Sequence, residues 1–220
     1  MVKLSKPSKM PCYSWSLQAI ETCPGSINPV TKQLVEACQT CYATDGNYNF
    51  KNVKAVRAYN KQDWQHDNWV TDMVTALKKA TYFRWFDSGD CYHLKLANKI
   101  LEVMQLTPEV KHWMPTRMYK FAKFLKVFKK MQALPNVVIR FSSDSITGET
   151  IKGSTTSTII EHHEDATKSM SVCEAYSREG KCGPCRACWD KTVSVIAYPA
   201  HGRKARKVYK DKVKFIRRVA

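Results

Sequence analysis

The chain has 220 residues, 44% of them hydrophobic and 11% aromatic, which is enough for one domain with a true core and argues against disorder. No apolar stretch approaches the roughly 20 residues that span a bilayer, and the basic N-terminus has no apolar run behind it, so a membrane anchor and a secretory leader are not expected. The formal net charge of +17 bears on partners and not on fold.

In chain order, the first strand is expected near Tyr13 to Ile20. Trp69, Val70, Met73, Val74 and Leu77 fall at helical spacing, and Thr81 to Phe86 reads as a strand that ends at Asp87-Ser88-Gly89-Asp90. Leu94, Ala97, Ile100, Leu101 and Met104 mark the next helix, and Lys111 to Thr116 the next strand. A lysine-faced helix follows, with Phe121, Phe124, Leu125, Phe128 and Met131 as its expected inner stripe. Asn136 to Phe141 is a short buried strand ending at Ser142, Ser143 and Asp144. Ile146 to Lys168 is polar and Ser/Thr-rich, so a loop or short hairpin is expected there. Met170 to Val172 and Val193 to Ala197 complete the strands. Strands alternating with helices predict an α/β fold: a partial (β/α) barrel with mostly parallel strands and a cysteine-rich C-terminal region. The expected organisation is a barrel over residues 1–201 and a basic tail over 202–220.

The nine cysteines carry the chemistry. In a reducing cytoplasm, thiols at short spacing point to metal ligands more than to disulfides. Cys182, Cys185 and Cys188 repeat at intervals of two residues, a pattern that gives three thiolates to a 4Fe–4S cluster from one loop. Cys173 is the expected fourth ligand. Structural zinc more often uses two separate knuckles, and it stands as the alternative, followed by plain thiols. Cys38 and Cys41, with Cys23 upstream, fit a redox pair, half a zinc site or two cluster ligands. Cys12 and Cys91 have no companions and read as packing residues.

Ser14 to Leu17, Thr22 to Ser26, Cys38-x-x-Cys41-Tyr42-Ala43, Asp87 to Asp90, and Cys182-x-x-Cys185-x-x-Cys188-Trp189 together resemble the gene-product-eighty-eight-like phage proteins over most of the chain. More distantly, the layout resembles radical S-adenosylmethionine enzymes, which are partial barrels. That resemblance implies Cys38 and Cys41 as cluster ligands and Cys23 as a displaced third. It implies Asp87, Ser88, Gly89 and Asp90 as the motif that holds the amino group of S-adenosylmethionine, and Ser142 and Ser143 at its ribose. The C-terminal cysteines would then resemble an auxiliary cluster. The expected cofactors are therefore one 4Fe–4S cluster or two, with S-adenosylmethionine bound if the chain is an enzyme. Because 14 residues separate Cys23 from Cys38, a single cluster built from both ends of the chain is the alternative. The host cytoplasm is the expected compartment.

Asp87 to Asp90 also has an ordinary reading, in which Ser88 or Asp90 caps the following helix. His162 and His163 read as a solvated loop. His201 reads as a neighbour of the site. Trp64, Trp69, Trp85 and Trp113 fall at core positions, and Trp189 is expected to shield a cluster from water. Residues 202–220 hold nine Lys or Arg against Asp211, which suits nucleic acid as readily as a solubility tail. Alternatively, Val208, Tyr209, Val213, Phe215 and Ile216 pack as a closing element. Three functional classes remain: a radical-type enzyme, a ferredoxin-like electron carrier or redox sensor with a redox partner protein, and a zinc-stabilised nucleic-acid-binding protein.

Overall fold

The computed structural model describes the backbone of residues 1–219 and the side chains of residues 1–212. Seven strands form one sheet in the order β1-β2-β3-β4-β5-β7-β6. They are β1 (Tyr13–Trp15), β2 (Tyr82–Trp85), β3 (Lys111–Thr116), β4 (Val137–Ser142), β5 (Thr156–Ile160), β6 (Met170–Val172) and β7 (Val195–Pro199). Every pairing is parallel and the sheet does not close, so β1 and β6 are its edges. The antiparallel bridge from Ser5 to Ser14 covers the β1 edge.

The helices are α1 (Glu36–Gln39), α2 (Lys51–Asp63), α3 (Trp69–Leu77), α4 (Leu94–Leu106), α5 (Ala122–Ala133) and α6 (Gly202–Val219). Side chains alternate across a strand, so each strand serves two faces. Phe83 and Trp85 of β2, Met114 of β3, and Val137, Ile139 and Phe141 of β4 enter one core. That core also takes Trp69, Met73 and Leu77 of α3, Ile100 and Met104 of α4, and Phe124, Phe128 and Met131 of α5. Burying each such side chain contributes about 1.5–3 kcal/mol. On the opposite face, Trp113 joins Met10, Cys12 and Trp189, with Tyr82, Cys182 and Cys188 packed around them.

The structure corrects two sequence expectations and adds one helix. The buried stripe of α5 is Phe124, Val127, Phe128 and Met131, while Phe121 and Leu125 are exposed. A period of 3.6 places Val127 inward and carries Leu125 off that face. The polar stretch after Ile146 contains β5, because β-branched Thr156, Thr158, Ile159 and Ile160 suit a strand, and the Thr156 and Ser157 hydroxyls find partners. Ser157 Oγ, for example, lies 3.0 Å from Ser142 Oγ. Finally, α2 escaped a search for apolar periodicity because its buried face is polar, consisting of Arg57, Asn60 and Asp63. Asn60 Nδ2 donates to Lys3 O and Ser16 O, both at 3.1 Å, and so ties the N-terminal segment to the sheet.

His112 makes this core sensitive to acid. It is fully buried, Trp85 Nε1 donates to its Nδ1 at 3.2 Å, and its Nε2 lies 2.9 Å from Thr107 Oγ1. The Thr107 hydroxyl spends its own hydrogen on Val103 O, so Nε2–H is the donor and the ring is neutral. Burial lowers the His112 pKa from 6.5 to about 3. The folded value lies below the unfolded one, so stability is full above the unfolded pKa and is lost as pH falls from 6.5 toward about 3. The cost is roughly 1.4 kcal/mol per pH unit in that window. Urea unfolding should therefore weaken with falling pH more steeply in the wild type than in His112→Gln, and equal slopes would count against this account.

Candidate metal centre

The carboxyl ends of β1 to β4 gather the first group of predicted residues. After β2, Phe86 and Gly89 adopt left-handed backbone, with φ of 56° and 77°. Gly89 is required there, since a Cβ would lie 2.7 Å from Leu17 Cβ and Thr22 Oγ1. Asp87 accepts from the Ser16 hydroxyl and faces Arg57 Nη2 at 3.8 Å. Ser88 Oγ accepts from Arg57 Nε at 2.5 Å and donates to Leu17 O at 2.7 Å. Asp90 accepts from Thr116 Oγ1 at 2.6 Å, from the backbone N–H of Arg117 at 2.8 Å and from that of Cys91 at 2.7 Å. Burial raises the Asp90 carboxyl pKa, and these three donors oppose that rise.

Neither Ser88 nor Asp90 caps α4. His93 does, accepting from Lys95 N through Nδ1 at 3.1 Å. Ser142 and Ser143 are buried at the end of β4. Ser142 Oγ meets Ser157, and Ser143 Oγ accepts from Ser145 N at 3.2 Å. The polar motif is thus a knot that joins β1, β2, β3 and α2 through side chains already bonded within the protein.

Cys23, Cys38 and Cys41 lie beside this knot. Ser26 accepts from Val35 N at 2.9 Å, closing the intervening loop so that Cys23 comes near the other two despite the long sequence interval. Asp144 O holds Ala37 N at 2.9 Å, which places α1 over the end of β4. Burial pushes the Cys23 thiol up, as do the negative charge of Asp90 and the nearby Cys38 and Cys41. Burial also raises Cys38, while the Arg117 guanidinium opposes it. Arg117 is itself fixed by Asp144 Oδ1 at 3.3 Å and by Ser143 O at 2.8 Å.

The second group stands at the end of β6. Arg140, in the middle of β4 and fully buried, reaches into the loop between β6 and β7. It donates to Cys188 O at 3.2 Å, Val193 O at 2.8 Å, and Ala187 O and Asp190 O at 2.9 Å each. Trp189 Nε1 donates to Phe83 O at 2.9 Å, and Cys182 N donates to Lys9 O at 2.8 Å. Pinned in this way, Cys182, Cys185 and Cys188 line one pocket together with Cys173. Trp189 also lines it and is buried against Trp113 with ring centroids 5.2 Å apart. Burial raises the Cys188 thiol, against the pull of Tyr198 OH and Arg140. Burial raises Cys182 too, with Lys9 opposing and Cys173 and Cys185 adding to the rise. Cys185 is exposed, whereas the other three are partly buried. Among the described residues, no three His, Cys, Asp or Glu side chains are already set around a single ion.

Arg84 separates the two groups. Its Nη2 donates to Tyr42 OH at 3.1 Å, next to Cys41, and its guanidinium lies 4.5 Å from the centre of the Trp113 ring. Its charge also acts on Cys182 and Cys188. Sequence reasoning passed over Arg57, Arg84, Arg117 and Arg140. A signal existed for two of them, because an arginine inside an apolar strand such as Val137 to Phe141 needs several acceptors. Cys12 and Cys91 are buried, and burial raises the Cys12 thiol to about 11. His162 and His163 are exposed, with His163 Nε2 2.7 Å from Glu174. His201 stacks on Tyr176 with centroids 5.2 Å apart.

The profile of the gene product 88 proteins matches residues 2–207, which takes in both cysteine groups and the polar motif. The chain belongs to this phage family. Neither a curated protein nor a solved structure matches it. Among the described residues, no helix of this gene product 88 protein is long and apolar enough to cross a membrane.

Proposed function

We propose that this gene product 88 protein is an iron–sulfur electron carrier or redox sensor of the infected host's cytoplasm, with its centre on Cys173, Cys182, Cys185 and Cys188. The observation that carries the reading is that the four cysteines of the connection between β6 and β7 line one pocket. All-sulfur donors suit iron–sulfur clusters and zinc above other metals. A tetrahedral zinc ion needs its sulfurs all about 2.3 Å from one point, whereas a cubane is gripped by thiolates set wider apart. The run of three cysteines in one loop supports the cluster for the same reason.

A bound cluster would supply one-electron chemistry. The chain's own residues would tune it. Lys9, Arg84 and Arg140 place positive charge around the thiols, which favours their deprotonated form. Trp189 and Trp113 keep water from the inner side. Exposed Cys185 leaves the outer side open to a redox partner protein. Cys23, Cys38 and Cys41 supply a second thiol set, which we assign to a further centre of the same class. A radical-type enzyme is the less favoured reading, since the acceptors of Asp87 to Asp90 are already engaged.

The test is a redox titration of anaerobically reconstituted protein. Broad visible absorbance should bleach on reduction and return on oxidation. S-adenosylmethionine should leave the paramagnetic resonance of the reduced protein unchanged. Colour that does not respond to reductant would sink the carrier reading, and a resonance shifted by S-adenosylmethionine would restore the enzyme.

A further inference from the structure

The C-terminal basic segment is an ordered helix with two distinct faces. The inner face of α6 holds buried Ala205 and Tyr209, and Tyr209 packs with Ala37 and Ile146. Tyr209 OH donates to Ile146 O, and Lys204 Nζ donates to Thr44 Oγ1 at 2.5 Å. Lys212 Nζ meets both carboxylate oxygens of Glu36, at 2.9 and 3.0 Å. These contacts span both flanks of the Cys38–Cys41 segment. Val213, Phe215 and Ile216, the remainder of the expected closing element, lie outside the described side chains.

Arg203, Arg206, Lys207 and Lys210 are all exposed. At 100° per residue they fall within an arc of about 100°, and they span about 10 Å of helix axis. Asp45, 4.0 Å from Arg203 Nη2, is the one acid paired with this row among the described residues. We propose that this outer face of α6 is a sequence-independent interface for the phosphate backbone of duplex DNA.

Three observations favour that partner over other polyanions. An anionic membrane would engage a basic helix through its apolar side as well, but among the described side chains of α6, Ala205 and Tyr209 are already buried in the protein. Single strands are held largely by bases stacked on aromatic rings, and Tyr209, the aromatic ring among the described side chains of α6, faces inward. Duplex phosphates need only a fixed row of cations, and a helix docked beforehand presents one without paying to order a tail. The inference does not depend on the iron–sulfur reading.

The experiment uses the full chain, since removing α6 would also release the Cys38–Cys41 segment. A labelled mixed-sequence duplex of about 20 base pairs is titrated by fluorescence anisotropy across a salt series. Four phosphate contacts predict a log–log slope near −3.6, which is a loss of roughly 100-fold in affinity between about 50 and 200 mM salt. Joint replacement R203A/R206A/K207A/K210A should weaken binding at low salt by at least about 10-fold and flatten the slope. The control K123A/K126A/K129A/K130A removes the same charge from the exposed side of α5 and should keep most of the affinity. Circular dichroism checks that both variants stay folded, and the milder R206E/K210E serves if the fourfold variant does not. Equal losses in the two variants, a salt-insensitive affinity, or tight binding to anionic phosphatidylglycerol vesicles without duplex binding would each overturn the proposal.

Discussion

Replacing Arg140 with methionine should destabilise the protein by about 3–5 kcal/mol, the largest effect expected of any single substitution outside the cysteines. Four carbonyls of the cysteine-rich loop, at Ala187, Cys188, Asp190 and Val193, take their hydrogen bonds from this one guanidinium. Methionine fills much of the same volume but donates nothing, so several part-buried carbonyls lose their partner. Lysine retains the charge but cannot fork to four acceptors, and it should fall between the two. Urea unfolding of the three proteins measures the order. A loss below about 1 kcal/mol for the methionine variant would mean that the loop is held by something other than Arg140.

The joint change C182S/C185S/C188S should remove bound iron from the C-terminal pocket and lower the melting temperature. Metal held by an ordered site contributes to folding, and apparent values for structural metal sites reach about 10 kcal/mol or more. Serine keeps the size of each side chain, so packing loss alone would be small. Cys91→Ala is the matching control. Its thiol is fully buried in the main core, and its loss should lower stability modestly while leaving metal content unchanged. A triple variant with the full metal content and melting temperature of the wild type would place the centre elsewhere.

Much of the scaffold was legible before the fold was known, for identifiable reasons. Helices α3 and α4 and strands β3 and β4 have apolar residues at clean helical or strand spacing, and they occupy nearly the segments expected. Helix α2 was not legible because its buried face is Arg57, Asn60 and Asp63, and a hydrophobic period cannot find a face that buries polar groups. Strand β5 was obscured by its threonines and serine, polar residues that read as a loop until Ser157 is seen to meet Ser142 of β4. The polar motif shows the same limit at the site. Its sequence permits a helix cap or a cofactor seat equally well, and only long-range partners such as Ser16, Arg57 and Thr116 reveal a structural knot. The C-terminal cysteine spacing brought out Cys182, Cys185 and Cys188. The arginine that anchors their loop lies about 50 positions upstream, beyond the reach of any local pattern.

Elemental analysis of anaerobically purified protein decides whether the pocket of Cys173, Cys182, Cys185 and Cys188 holds iron and sulfide. The predicted result is iron and acid-labile sulfide in equal amounts, about four of each per chain for one cluster or about eight if Cys23, Cys38 and Cys41 hold another. A colourless protein carrying stoichiometric zinc, without sulfide, would contradict it.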